Sequence, residues 1–113
     1  SQARLEWNEQ IERHPEGRLA ADAGMGVARS HDVDGDCELA TPAFRRVQQR
    51  HPSTPQAAEA MVGEAGCLEV SGDLDAAERL YRKAQPLHPN PEMVLQRLDD
   101  LARSRWVRDP PAR

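Results

Sequence analysis

Aromatic side chains are scarce in this sequence: they make up 4% of its 113 residues, and alanine and leucine supply most of the apolar content. A sandwich of β-sheets needs strands rich in β-branched and aromatic residues, whereas small and unbranched apolar residues suit the packing of helix on helix. The chain also lacks the low hydrophobicity and charge excess of a disordered protein, since 38% of its residues are apolar and 30% charged. The composition therefore predicts one globular, all-α domain.

Long apolar runs are missing as well. None reaches the roughly 18 to 20 residues of a membrane span, and none has the form of a secretory signal. We therefore expect no insertion into a membrane. Because the sequence begins with Ser1 rather than Met, we expect a processed or excised piece of a longer chain, and both a cytoplasmic and a periplasmic location stay open.

An excess of positive charge is also absent, since the net charge is −4 and both signs are interspersed. A surface for duplex nucleic acid needs clustered lysine and arginine. The basic cluster in residues 97–108 is diluted by aspartates, so it is interpreted as a solvated last helix and not as a nucleic-acid site.

Cysteine is limited to Cys37 and Cys67, which are too few for a disulfide framework and have no CxxC spacing. Two free thiols are the expected state, with Cys67 buried in a helix contact. A single disulfide between them stays open as an alternative. In a stack of helical hairpins, the end of the first helix of one repeat lies beside the turn that joins the two helices of the preceding repeat.

The dipeptide His-Pro recurs at equal intervals of 37 residues, beginning at His14, His51 and His88. The same offset matches seven residues of 35–52 with residues of 72–89, and it also aligns 20–28 with 57–65. Zinc ligands must all lie within ~2.1 Å of one ion, whereas neighbouring units of a helical stack are about 10 Å apart. The histidines therefore mark a structural period and do not form a metal site.

Helix signals divide the second unit into two helices. Thr54 caps the first, and Pro55 takes its first position, where a missing N–H costs nothing. Gly72 ends that helix and Asp73 caps the next. Apolar residues at helical spacing form the inner faces, namely Ala57, Met61, Ala65 and Leu68 in the first helix and Leu74, Ala77, Tyr81 and Ala84 in the second.

Prolines complicate the remaining boundaries. Residues 18–31 are predicted to form the first helix of the first unit. Pro42 would lie inside a helix that starts at Asp36, so the prediction is a later start at Thr41 and a long loop over residues 32–40. In the second unit, Pro86 predicts that the helix ends near Ala84 or Gln85.

Half-units flank the two full units. Residues 3–11 carry an apolar stripe like that of a second helix, and a last helix is predicted after Pro91, with Val94, Leu98 and Leu101 on one face. The sum is about six helices. We assign residues 1–105 to the helical domain and residues 106–113 to a disordered tail.

The second helix of each unit resembles that of a tetratricopeptide repeat. Alanine, an aromatic residue and proline recur at the same spacing in residues 77–89, 40–52 and 3–15, and Ala65 and Ala28 match the small residue at the family's helix contact. The resemblance covers residues 1–105. It implies an α-solenoid of three antiparallel helical hairpins in a right-handed superhelical stack, within a longer array.

The period of 37 residues departs from the family's usual ~34. The additional residues follow Pro52 and lengthen the turn between repeats. This long-turn variant resembles the repeats of bacterial envelope proteins such as the TolA-binding cell-division coordinator and outer-membrane assembly lipoproteins.

The resemblance implies an adaptor that is not an enzyme, with a concave face that holds a peptide or protein segment and with no cofactor or metal. The mixed charges of this face predict a polar groove of modest affinity, and the exposed terminal repeats are candidates for self-association. The residues assigned to the partner-binding face by the family's register are Asp22, Met25, Arg29, Glu59, Val62, Glu69, Gln96, Asp99 and Arg103.

Two alternatives remain at this point. A regulatory domain of a signalling or transcription-control protein would have the same fold. A metal-dependent or thiol enzyme would be centred on the acidic stretch 31–38, where one histidine, one cysteine and several carboxylates stand close together. An EF-hand loop counted from Asp32 fails, because Cys37 replaces the glycine of position six and Ala43 the glutamate of position twelve. An acidic turn with a capping aspartate is the simpler interpretation.

Overall fold

The computed structural model describes residues 4–5 and 18–108. Within these residues all regular secondary structure is helical and there is no strand, so the all-α prediction is confirmed. The predicted count of six helices is not matched, because the helix expected over residues 3–11 lies outside the described residues except for Arg4 and Leu5, which are helical. The five helices are α1 (Arg18–Val33), α2 (Cys37–Arg50), α3 (Pro55–Ser71), α4 (Leu74–Ala84) and α5 (Pro91–Arg108).

The helices stack in order along the chain. Short turns join α1 to α2 and α3 to α4, so each pair packs as an antiparallel hairpin. The longer connections contain His51 and His88, which lie between α2 and α3 and between α4 and α5. These two His-Pro pairs therefore lie at the junctions between hairpins, as the period predicts. The first pair, at His14, lies outside the described residues.

Local sequence signals set most helix ends. The Thr54 hydroxyl accepts a hydrogen bond from the Ala57 N–H at 3.0 Å, and the Asp73 carboxylate accepts one from the Ala76 N–H at 3.2 Å. Gly72 adopts the left-handed backbone conformation, with φ of 89°, which is unfavourable for residues that have a Cβ atom. The end of α4 at Ala84, two residues before a proline, is also as predicted.

The start of α2 was predicted wrongly. The helix begins at Cys37 and not at Thr41, and Pro42 lies inside it. The Asp36 carboxylate caps the helix by accepting a hydrogen bond from the Leu39 N–H at 3.2 Å. Pro42 has no N–H and donates no hydrogen bond to the preceding turn. The helix can tolerate this loss because the preceding turn is held by another contact, the bond from Cys37 to α3.

The core consists of small side chains between helices and a few large ones. Phe44 and Tyr81 are the two largest fully buried side chains, and each lies on the second helix of a hairpin. Alanines with almost no exposure surround them, which allows the helices to approach closely. On α5, Val94 and Leu101 are buried against α4, which confirms that face of the predicted stripe.

The last helix extends to Arg108, three residues beyond the predicted domain boundary at residue 105. The rest of the predicted tail, residues 109–113, lies outside the described residues. Among the helices that are described, none combines the length and the apolar character that crossing a membrane requires.

Candidate partner-binding groove

The first helices of the successive hairpins, α1, α3 and α5, together line one groove of about 290 Å³. Its floor contains Met25 and the ring of Phe44, both buried, and Val62 of α3 lies half-buried in its wall. Gly63 and Gly66 have no side chains, so at these two positions the α3 wall of the groove is formed by backbone. The result is an apolar floor beneath walls that carry charged side chains.

On the α1 side the groove's charges are paired. The Arg29 guanidinium donates to the Glu59 carboxylate and so links α1 to α3 across the groove. Asp32, one turn further along α1, is exposed at the same wall. This end of the groove therefore presents one internal ion pair and one additional carboxylate.

On the α5 side the groove presents Met93, His88 and Arg97. The Asn90 N–H donates to the His88 Nδ1 at 2.9 Å, so in the neutral ring the proton is on Nε2 and is available as a donor. Within the part of the chain that the structure describes, Arg97 makes no ion pair with a carboxylate. Its charge therefore remains available to a ligand.

The buried hydroxyl of Tyr81 lies near Arg97 at this end of the groove. Tyr81 is buried and donates a hydrogen bond to the Glu69 carboxylate at 2.5 Å. Burial raises the pKa of Tyr81 far above its ordinary value, and the acceptor Glu69 raises it further, because both disfavour the phenolate. Arg97 lies close enough to lower the same pKa, which places the guanidinium near the hydroxyl.

Four of the nine predicted residues line this groove, namely Met25, Arg29, Glu59 and Val62. Asp22 lies on an exposed face of α1, where it accepts a hydrogen bond from Gln56 at 3.0 Å. Glu69, as described, is engaged by the Tyr81 hydroxyl.

The three predicted residues of α5 do not reach the groove. Gln96, Asp99 and Arg103 are all exposed, and Arg103 donates to Asp99 one turn away at 2.9 Å. Positions 96, 99 and 103 lie about 80° to 140° around the helix axis from the midpoint of Met93 and Arg97. The prediction took these residues from the family's register, whereas the packing of Val94 and Leu101 on α4 sets which face of α5 is turned to the groove.

Cys37 and Cys67 form a disulfide, with Cα atoms 5.6 Å apart, so the expectation of free thiols was wrong. The alternative of a single bridge is correct, because the first turn of α2 lies against the C-terminal half of α3. Asp32 comes within 4.8 Å of both sulfurs, and these three residues form a cluster of possible metal ligands. As a disulfide, however, the sulfurs are not thiolates, which are the form that binds zinc.

The other residues of the acidic stretch have structural partners. The Arg4 side chain bonds to His31 at 2.9 Å and pairs with Asp34, while Asp36 caps α2. Within the described residues, His31, Asp34 and Asp36 of this stretch are therefore each engaged in a structural contact.

Glu64 is the one buried charged residue among the described positions, with 5% exposure. It accepts a hydrogen bond from Arg45 Nε at 2.7 Å and another from the Gln48 amide at 2.9 Å. These contacts join α2 to α3 on the far side from the groove. Arg45 and Gln48 are three residues apart, so both donors lie on one helix face, and this spacing is the sequence signal for such an acceptor.

Comparison with protein families supports the repeat interpretation. A family model described as tetratricopeptide repeat matches residues 26–90, which is more than half of the chain. The matched part contains α2, α3 and α4 in full and the second half of α1. No curated protein matches the chain at a significant level.

Proposed function

Because the chain belongs to the tetratricopeptide repeat family, we propose that it is a non-enzymatic adaptor whose groove holds a segment of a protein partner. Repeats of this family generally mediate protein-protein interaction. The observation that carries the proposal is the groove between α1, α3 and α5, in which an apolar floor is combined with an arginine that has no carboxylate partner among the described residues.

The charges of the groove define what such a segment would need. Arg29 and Glu59 already neutralise one another, so binding there gains little electrostatic energy. Arg97 and the Nε2–H of His88 favour a hydrogen-bond acceptor or a carboxylate on the partner, next to an apolar side chain that reaches Met93 and Val62. We infer modest affinity, because the groove is open and its walls carry charged side chains that a partner would have to desolvate.

We propose further that the chain belongs to a bacterial envelope complex, and the long turn between repeats supports this proposal. The turn of residues 51–54 is ordered by the Thr54 hydroxyl, which donates to the His51 carbonyl at 2.6 Å. Ser53 adopts a positive φ of 62° within it, which is an uncommon conformation for a residue other than glycine. This ordered turn supports a defined repeat variant.

A selection experiment tests the groove without a known partner. A displayed library of random peptides is selected on the purified chain, and enriched peptides are titrated by fluorescence anisotropy against Arg97→Glu and Arg103→Glu. Both changes reverse a charge on α5, but only Arg97 lines the groove. Arg103 is 73% exposed and pairs within its own helix.

We expect the enriched peptides to bind Arg97→Glu at least about tenfold more weakly than the wild type, since a charged hydrogen bond is worth roughly 1.5 to 3 kcal/mol. Arg103→Glu is expected to bind as the wild type does. Arg29→Glu gives an independent check on the α1 side. Equal binding of the peptides to wild type, Arg97→Glu and Arg29→Glu would rule out the groove as the binding site.

A further inference from the structure

The disulfide between Cys37 and Cys67 lies beside the groove. It joins the first turn of α2 to the C-terminal half of α3, with Cys67 buried and Cys37 half-buried. The carboxylate of Asp32, which lines the groove, is 3.8 Å from the Cys67 sulfur. The bond therefore lies against the groove wall.

The sequence of α2 contains two alternative starts. In the structure Asp36 is the cap, and Pro42 lies within the helix, so the hydrogen bond that residue 42 would donate to the Glu38 carbonyl is missing. Thr41 followed by Pro42 provides a second start, with threonine as cap and proline at the first helical position. The long and short forms of α2 differ only in the first turn.

Apart from the disulfide, few packing contacts hold this first turn in place. Ala40 is its one fully buried residue, whereas Glu38 is exposed and Leu39 is 51% exposed. Burial of a single alanine removes only a small apolar area from water. The covalent bond at Cys37 is therefore the main contact that favours the long form over the short one.

We propose that the Cys37–Cys67 disulfide is a redox switch that selects the long form of α2, and that its reduction releases the first turn and loosens the Asp32 side of the groove. A small dithiol supplies two electrons and two protons: the S–S bond breaks, both sulfurs become thiols, and the dithiol closes to its own disulfide. The helix change stands on the geometry alone, while its effect on partner binding rests on the proposed function.

Hydrogen exchange followed by mass spectrometry tests the switch on the free chain. We compare the oxidised chain with the chain treated with dithiothreitol. In the reduced chain, the amides of residues 39–41 should lose protection by roughly tenfold or more, because their hydrogen bonds belong to the first turn. The amides of α4 should keep their protection.

Pro42→Ala is the matched variant. Pro42 is exposed, so its replacement disturbs no packing. The change restores the missing N–H and removes the second start. Reduced Pro42→Ala should therefore keep most of the protection of residues 39–41 that the reduced wild type loses. Cys37→Ser should reproduce the loss without any reductant.

Three results would overturn the switch: no loss of protection on reduction, an equal loss in every helix, or the same loss in Pro42→Ala as in the wild type. None of them depends on a groove ligand. With peptides from the groove selection, the reduced wild type should bind more weakly than the oxidised chain, and reduced Pro42→Ala should bind like the oxidised one. Equal binding by the oxidised and reduced wild type would remove the link to the groove while leaving the groove itself established.

Discussion

The contact between α2 and α3 and the contact between α4 and α5 occupy equivalent places in the repeat, yet different chemistry holds them together. We name them the first joint and the second joint. The first joint has the disulfide and the buried carboxylate of Glu64. The second joint has an apolar cluster that includes Tyr81, and its ion pairs, from Arg105 to Asp75 and Glu78, are partly exposed.

A pair of equivalent arginines shows how the two joints diverge. Arg45 and Arg82 are 37 residues apart and belong to the matching blocks. Arg45 bonds across the joint to Glu64 at 2.7 Å, whereas Arg82 pairs within its own helix with Glu78 at 3.6 Å. The residue 37 positions after Glu64 is Leu101, which is buried and apolar. The repeat therefore reproduces the shape of the hairpin and not its polar contacts.

Removal of the disulfide should have the largest effect on stability. The bond closes a loop across a sequence separation of 30 residues, so the chain-entropy model predicts a loss of about 3.5 kcal/mol in the free energy of unfolding. We expect this loss for the double variant Cys37→Ala and Cys67→Ala, measured by urea denaturation and circular dichroism. Dithiothreitol should destabilise the wild type by a similar amount and leave the double variant unchanged. Equal stability of the wild type and the double variant would show that the first joint does not depend on its covalent bond.

Gly63 provides the next test of the first joint. A Cβ added at Gly63 would lie closer than 3.0 Å to three atoms of the Phe44 ring, whereas one added at Gly66 would meet nothing within 4 Å. We expect Gly63→Ala to cost about 2 to 3 kcal/mol through overpacking. Gly66→Ala, the matched control in the same helix, should gain up to about 1 kcal/mol from helix propensity. Urea denaturation of both variants distinguishes close packing from propensity, and a stabilised Gly63→Ala would contradict the position of the ring.

These cases show which parts of the molecule the sequence could predict. Thr54, Gly72 and Asp73 act on backbone groups within a few residues of themselves, so the helix ends they set were predicted correctly. The start of α2 was not, because Asp36 and Thr41 are both competent caps and the choice between them depends on a bond to a different helix. Local signals cannot decide between two local solutions.

The groove was predicted in part for a similar reason. Met25 lies in the block 20–28, where the 37-residue offset aligns two segments, and Arg29 follows directly after that block. On α5 the groove instead uses Met93 and Arg97, because the orientation of this helix depends on how Val94 and Leu101 pack on α4. A rotation of one residue, about 100°, changes which side chains face the groove.

Arg45 and Arg82 allow the polar difference between the joints to be measured. Arg45→Ala should cost about 1.5 kcal/mol, because it leaves the buried Glu64 carboxylate with Gln48 as its remaining side-chain donor. That estimate is below the cost for a fully buried pair, because the Arg45 side chain is 56% exposed. Arg82→Ala removes only an exposed pair within one helix and should cost less than about 0.5 kcal/mol. Equal losses of unfolding free energy for the two variants in urea denaturation would mean that the two arginines stabilise the chain equally, and would contradict the proposed polar difference between the joints.

Tyr81, which packs with Val94 and Leu101 in the second joint and donates to Glu69 of α3, is expected to make the stability of the chain depend on pH. Its pKa in the folded chain lies above the ordinary value of 10.0, first because burial desolvates the phenolate and then because Glu69 accepts its proton in a hydrogen bond. A raised pKa means that the folded state binds the proton more tightly than the unfolded chain does. This contribution is fully present below about pH 10 and is lost as the pH rises above it, by up to about 1.4 kcal/mol per pH unit.

Tyr81→Phe isolates this contribution, because it keeps the ring and removes the hydroxyl. At pH 7 the variant should lose about 1 kcal/mol, the net value of an ordinary hydrogen bond. Above pH 10 the wild type should lose stability more steeply than Tyr81→Phe, so the two unfolding free energies should converge. Other groups titrate in the same range in both proteins, so only the difference between the two curves reports on Tyr81. Parallel curves between pH 9 and 11 would mean that the hydroxyl is as accessible to water in the folded chain as in the unfolded one, and that the second joint does not bury it.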